Sequence, residues 1–129
     1  MGKTEEKPKK ILVIDDDPGI IMTLEAGLKA RGYAASAAMN SRDGLKKARE
    51  DLPDLIVLDV LLPETSGYEV IAELKSDPTT KSIPVIMLTV KKLDEDVAKG
   101  LALGADDYVI KPVHTGLFLK RVENLLKRK

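Results

Sequence analysis

Polar side chains follow four short apolar runs in this 129-residue chain. The residues that end these runs are Asp15, Asp16, Asp17, Asp59, Thr89 and Lys111. Clustered carboxylates destabilise a fold unless a cation neutralises them, and Mg²⁺ prefers hard oxygen ligands of this kind. The acids therefore predict a magnesium site, with Asp16 and Asp59 as ligands and Asp15 acting through water.

The same cluster has the parts needed for phosphoryl transfer. A carboxylate can attack a phosphoryl group and form an acyl phosphate when a cation and fixed donors screen the repulsion between the two anions. We predict that Asp59 is this nucleophile. Lys111 can place an ammonium beside the same oxygens, and the hydroxyl of Thr89 can donate to a phosphoryl oxygen once one is present. Thr89 or Lys111 alone would be unremarkable, so the prediction rests on their joint placement.

Two other polar residues have simpler explanations. Asp17 precedes Pro18, the pattern of an N-cap followed by proline in the first helical turn, so we interpret it as a helix cap. His114 is the only histidine and lies near the start of the last predicted helix. We assign it no functional role.

The elements that must position these residues alternate along the chain. The apolar runs predict buried strands over residues 11–14, 33–38, 55–58, 84–88 and 108–110. Between and after them, apolar residues at helical spacing predict five helices: residues 18–32, 41–51 with Ser41 as cap, 68–74, a helix carrying Leu93, Val97, Leu101 and Leu103, and one using Leu117, Phe118, Val122, Leu125 and Leu126. Strict alternation implies a doubly wound α/β fold with a five-stranded parallel sheet. In such sheets ligands bind beyond the carboxyl ends of the strands, where the polar residues lie.

Composition limits the kinds of partner and compartment. The 21 basic and 21 acidic residues cancel, which gives no reason to expect direct nucleic-acid binding. No apolar run approaches the roughly 20 residues that span a bilayer, so we expect no membrane segment. The chain has no cysteine, which fits a reducing, cytoplasmic location. We expect residues 1–9 to be a flexible lead-in and residues 10–127 a single domain.

Four motifs together resemble the receiver domain of bacterial response regulators, from Lys10 to about Lys127. The sequence Ile-Leu-Val-Ile before Asp15–Pro18 resembles the acidic first turn of that family. Leu58-Asp59-Val-Leu-Leu-Pro63-Glu-Thr-Ser-Gly67 resembles its phosphoacceptor loop. Leu88-Thr89 resembles the switch threonine, and the segment from Gly104 to Pro112 resembles the end of the fifth strand.

The resemblance implies a flavodoxin-like strand order of 2-1-3-4-5 and a phosphoacceptor switch rather than an enzyme. It implies Mg²⁺ held by Asp16, Asp59 and the backbone carbonyl of Leu61, with Asp15 in support. The phosphoryl donor would be a histidine kinase or a phosphotransfer protein. Such a domain assists its own phosphorylation and dephosphorylation.

Two further features are implied near the fifth strand. The Lys111–Pro112 bond is expected to be cis, and Tyr108 occupies the position of the switch aromatic, which turns inward as Thr89 moves. Val90 stands where a smaller residue is common in the family, and its bulk is expected to alter access to the acyl phosphate or the room for Tyr108.

The face formed by the fourth helix, fifth strand and fifth helix is expected to bind a downstream target or a second copy of the chain. The sequence fits either a stand-alone receiver or one cut from a longer protein.

Two alternatives have some support in the sequence. Asp15-Asp16-Asp17 also satisfies the Asp-x-Asp motif of haloacid dehalogenase phosphohydrolases, with Asp15 as nucleophile, although Asp59 would then have no purpose. A degenerate receiver that only binds partners is the other alternative, and it is disfavoured because the acids, the threonine and the lysine are all present.

Overall fold

The computed structural model describes residues 7–90 and 94–127, and for residues 94–96 only the backbone. Within these ranges, strands and helices alternate along the chain. The strands are β1 (Lys10–Ile14), β2 (Ala34–Ala38), β3 (Leu55–Asp59), β4 (Val85–Thr89) and β5 (Asp107–Ile110). The helices are α1 (Pro18–Ala30), α2 (Ser41–Asp51), α3 (Gly67–Ser76), α4 (Asp94–Ala102) and α5 (Thr115–Lys127).

The strands form one parallel sheet in the order β2-β1-β3-β4-β5. This confirms the predicted doubly wound, flavodoxin-like fold and its strand order. The strand bounds differ from the predicted ones by about one residue. Pro84 lies just before β4, because it has no N–H for the ladder, although its carbonyl still accepts a hydrogen bond from the N–H of Ile56 at 3.0 Å.

The core has two layers, one on each face of the sheet, because successive strand residues point to opposite faces. Ile11, Val13 and Val57 face the layer covered by α1 and α5, which includes Phe118. Leu12, Ile14, Ile56 and Leu58 face the other layer, where α3 contributes Val70, Ile71 and Leu74. Burial on both faces explains why β1 and β3 are continuous apolar runs.

Two helix details differ from the sequence predictions. Asn40, rather than Ser41, caps α2: its side-chain oxygen accepts from the N–H of Asp43 at 2.8 Å, and Ser41 is the first helical residue and is buried. Leu117 is 49% exposed because the helical turn places it on the solvent side of α5, beside buried Phe118 and Leu119. Leu93, predicted to belong to α4, lies outside the described residues.

Most of the expected lead-in, residues 1–9, also lies outside the described ranges. Lys7 to Lys9 are exposed, and the carbonyl of Lys9 already accepts a hydrogen bond from the N–H of Ala34 at 2.9 Å. The interaction with β2 therefore starts one residue before β1. Across the described ranges, no helix combines the length and the apolar character needed to cross a bilayer.

Candidate metal centre

Three carboxylates meet at the carboxyl ends of β1 and β3, which are neighbours in the sheet. The residue after β1, Asp15, is 0% exposed, and the last residue of β3, Asp59, is 3% exposed. Asp16 is exposed at the rim. One oxygen from each of the three lies within 4.8 Å of the others, a spacing that a single cation can bridge.

Lys111 joins the two buried acids. Its Nζ lies 3.1 Å from Oδ2 of Asp15 and 3.3 Å from Oδ2 of Asp59. The lysine directly follows β5, and its N–H donates to the carbonyl of Thr89 at 2.7 Å, which fixes the backbone beside β4. The Lys111–Pro112 peptide bond is cis, as the resemblance implies. The predicted convergence of residues from several strands is therefore present.

The electrostatics of the cluster favour a further cation. Burial is the largest cause, and repulsion from Asp15 the second, of a rise in the pKa of Asp59 from 3.8 to about 6. Lys111 and the N–H of Leu61 lower this pKa, but by less. Burial alone would lower the pKa of Lys111, but the two carboxylates outweigh burial and the net pKa is raised. One ammonium therefore serves two carboxylates and leaves the site with excess negative charge.

The donor set fits Mg²⁺. Oδ2 of Asp15 is buried and, although Lys111 is within ion-pair distance, no hydrogen bond of acceptable geometry reaches that oxygen from the described residues. A buried oxygen of this kind normally has a partner. The other oxygen, Oδ1, accepts from the N–H of Asp17 at 2.9 Å. Hard carboxylate oxygens, one of them without a hydrogen bond, match the ligands that Mg²⁺ prefers.

The loop after β3 is held tightly against Asp59. The N–H of Leu61 donates to Oδ1 of Asp59 at 3.2 Å, and the N–H of Gly67 donates to the carbonyl of Val60 at 2.7 Å. A Cβ at residue 67 would collide with the carbonyl oxygen of Asp59 and lie 2.9 Å from Cα of Val60. Only glycine allows α3 to begin this close to the carboxylate.

Thr89 and Tyr108 lie along one small cavity between α3, α4 and the sheet. Thr89 is buried at the end of β4, and Tyr108 is half-buried on β5, paired in register with Met87. The other lining residues are mostly apolar and include Val60, Met87, Val97 and Ala105. Val90 is exposed and is not among the residues that line this cavity.

The two residues given simpler explanations have structural roles. The side chain of Asp17 accepts from the N–H groups of Gly19 at 2.8 Å and Ile20 at 3.4 Å, which confirms it as the α1 cap. Nδ1 of His114 accepts from the N–H of Leu117 at 3.1 Å in the first turn of α5.

Two contacts near the cavity could not be predicted from the sequence. Nζ of Lys99 on α4 lies 4.6 Å from the ring centroid of Tyr68 on α3. Asp107 on β5 accepts from Arg121 of α5 at 2.7 Å. Neither pair follows a sequence pattern, since each joins residues from different elements.

Comparison with known proteins agrees with this geometry. The response regulator receiver domain family matches residues 11–123. The transcriptional regulatory protein AfsQ1 of Streptomyces coelicolor is 43% identical over 118 residues, which cover 92% of this chain and 51% of that protein. The alkaline phosphatase synthesis transcriptional regulatory protein PhoP of Bacillus subtilis is 42% identical over 93% of this chain and 49% of its own length. This chain thus spans about half the length of these two relatives.

A solved structure shows the same fold. The chemotaxis response regulator CheY4 of Vibrio cholerae superposes with a TM-score of 0.87 at 29% identity, covering 91% of this chain and 98% of that one. The family match over most of the chain also sets aside the haloacid dehalogenase alternative. The chain belongs to the response regulator receiver domains, the phosphoacceptor switches of two-component signalling systems.

Proposed function

We propose that Asp59 is the phosphoacceptor and that Mg²⁺ is held by Asp16, Asp59 and the backbone carbonyl of Leu61, with Asp15 in support. The single observation that carries the proposal is the arrangement in which Lys111 bridges the buried carboxylates of Asp15 and Asp59. Buried acids of this kind destabilise a fold, so they indicate a site kept for its chemistry.

In the reaction, a carboxylate oxygen of Asp59 attacks the phosphorus of the donor, and the bond from phosphorus to the leaving group breaks as the acyl phosphate forms. When bound, Mg²⁺ supplies positive charge that neutralises the phosphoryl oxygens. The ammonium of Lys111, whose Nζ lies 3.3 Å from Oδ2 of Asp59, would stabilise the same developing charge. The hydrogen bond from Leu61 to Oδ1 and the contact with Gly67 keep the carboxylate oriented. The domain thereby assists its own phosphorylation, and by the same groups its dephosphorylation.

The new phosphoryl group then biases a switch. The hydroxyl of Thr89 donates to a phosphoryl oxygen, and Tyr108 turns into the cavity that both residues line. Phosphate contacts that exist in only one of two packings shift the population toward it. The shared cavity supports this coupling, because Thr89 and Tyr108 both line it.

The phosphoryl group comes from a histidine kinase or a phosphotransfer protein, as in the family. The readout surface is the face of α4, β5 and α5, which engages a downstream target or a second copy of the chain without direct nucleic-acid binding. This face adjoins the Thr89 and Tyr108 cavity, and it exposes Leu101 and Leu117.

The phosphoacceptor proposal is tested by intact mass after incubation with acetyl phosphate and Mg²⁺. Wild type should gain one phosphoryl group, about 80 Da through the carboxylate nucleophile, and EDTA should prevent the gain. Asp59→Asn should show none, and Lys111→Ala should remain folded but react more slowly.

Each other result has a definite meaning. A gain that persists in Asp59→Asn would move the nucleophile to Asp15, the residue that the dehalogenase alternative requires. A wild type that neither gains mass nor responds to Mg²⁺ would favour the degenerate receiver.

The readout face has its own prediction. Phosphorylated wild type should show slower hydrogen exchange in α4, β5 and α5, or a larger sedimentation coefficient if two copies associate. Asp59→Asn treated identically is the matched control. Unchanged exchange and unchanged size in a fully phosphorylated sample would exclude this face as the readout.

A further inference from the structure

Helix α4 is weakly anchored over the sheet, judged by the side chains that the structure describes. Between residues 97 and 102, only Gly100 is buried, and it has no side chain to bury. By contrast, α3 buries three large apolar residues and α5 buries four. Elements with few buried apolar contacts are the ones that open at low free-energy cost.

Two consecutive residues of α4, Lys99 and Gly100, contact side chains of α3 and β4. A Cβ on Gly100 would lie 2.8 Å from Sδ of Met87 and 3.8 Å from Cε1 of Tyr68, so the helix backbone lies directly on these two side chains. The preceding residue, Lys99, places its ammonium over the Tyr68 ring at 4.6 Å. A cation over an aromatic face at this distance is attractive. This contact joins α4 to α3, outside the carboxylate cluster.

The cavity lies directly beneath this contact. Tyr68, Met87 and Gly100 line it together with both switch residues, Thr89 and Tyr108. A displacement of α4 would therefore enlarge or close the space into which the Tyr108 ring turns. With so little else anchoring α4, a weak contact can change the balance between its positions.

We propose that Lys99 is a positioning residue of the switch, and that its contact with Tyr68 holds α4 in the conformation of the unphosphorylated domain. This inference rests on the proposed Thr89 and Tyr108 switch and deepens it. A contact made in only one of two conformations stabilises that conformation and opposes the other. Loss of the Lys99 ammonium should consequently favour the activated state.

The test uses hydrogen exchange of the full chain, with and without Mg²⁺ and beryllofluoride as a mimic of the phosphoryl group. Lys99→Met keeps the aliphatic stem and the helix propensity but removes the charge. Its α4 peptides should exchange faster without beryllofluoride, and its half-maximal response should need less beryllofluoride, each by about two- to fivefold. Lys99→Arg, which keeps a cation over the ring, should behave as wild type.

A double-mutant cycle identifies the partner. Tyr68→Leu should shift the response in the same direction, and adding Lys99→Met to it should produce no further shift. Urea unfolding of each variant separates this effect from global destabilisation, which would leave the beryllofluoride midpoint unchanged.

Two results of this experiment distinguish the role of Lys99 from the switch itself. If wild type responds to beryllofluoride and Lys99→Met has the same midpoint and the same α4 exchange, Lys99 does not position α4 while the switch stands. If wild type shows no Mg²⁺-dependent response to beryllofluoride, the proposed switch is wrong, and the role of Lys99 is overturned with it.

Discussion

Metal-free Asp59→Asn should be more stable than metal-free wild type at pH 7, by about 2 kcal/mol, although the substitution removes a charged residue from an ion pair. Burial and the Asp15 carboxylate raise the pKa of Asp59 to about 6 in the folded protein. Each unit above the unfolded value corresponds to about 1.4 kcal/mol at a pH above both pKa values. The pKa of about 6 already includes the attraction of Lys111, so it is the cost of burying the new amide that offsets part of the gain.

The difference in unfolding free energy between Asp59→Asn and wild type should depend on pH. An acid whose folded pKa is raised binds its proton more tightly in the folded state, so stability falls as the pH rises from about 4 through about 6. Asparagine cannot titrate, so the difference between variant and wild type should be near zero at pH 4 and reach its full size by pH 7. Urea unfolding in EDTA at a series of pH values measures this difference. A variant less stable than wild type at pH 7 would contradict the electrostatic account.

Magnesium should reverse the order of stability. Binding to the folded state stabilises wild type according to metal concentration, whereas Asp59→Asn has lost a ligand and should gain much less. Asp16→Asn is the matched control, because Asp16 is exposed. Its metal-free stability should stay within about 0.5 kcal/mol of wild type, while its response to Mg²⁺ should also be lost.

Gly67→Ala should be the most damaging small substitution near the site, with a loss of stability of about 3 kcal/mol. The added methyl would collide with the carbonyl oxygen of Asp59 and crowd Cα of Val60. Both are backbone atoms, which cannot move aside as a flexible side chain can. The loop must open instead, and this displaces the Asp59 carboxylate. Phosphorylation by acetyl phosphate should therefore slow by at least about tenfold, because each increase of about 1.4 kcal/mol in the activation free energy lowers the rate by a factor of about ten.

Gly116→Ala is the control for an ordinary helical glycine. The nearest atom to its added Cβ is Cε1 of the exposed His114 side chain at 3.3 Å, a contact that a shift of a few tenths of an ångström relieves. Alanine is the better helix former, so stability should be unchanged or rise by up to about 1 kcal/mol. Equal stability of the two alanine variants would show that residue 67 tolerates a side chain and that the tight loop does not position Asp59.

The sequence by itself determined the order in which strands and helices alternate along the chain, and the edge of the sheet at which the site lies. Apolar runs such as Leu55–Leu58 can only be buried on both faces of a sheet, and the residue after each run must then emerge at the same edge. Asp15, Asp59 and Lys111 could therefore be predicted to converge, and Asp17 to cap α1. These features depend on local pattern and period, which the sequence displays directly.

Only the tertiary structure decided which groups are buried, how they pair, and what lies beneath α4. Burial of Asp59 beside Asp15, with one lysine shared between them, depends on distances across strands that are far apart in sequence. The fit of Gly67 against Asp59 and of Lys99 over Tyr68 depends on the positions of helices relative to the sheet. Contacts of this kind arise from packing between elements, and packing has no period along the chain from which it could be predicted.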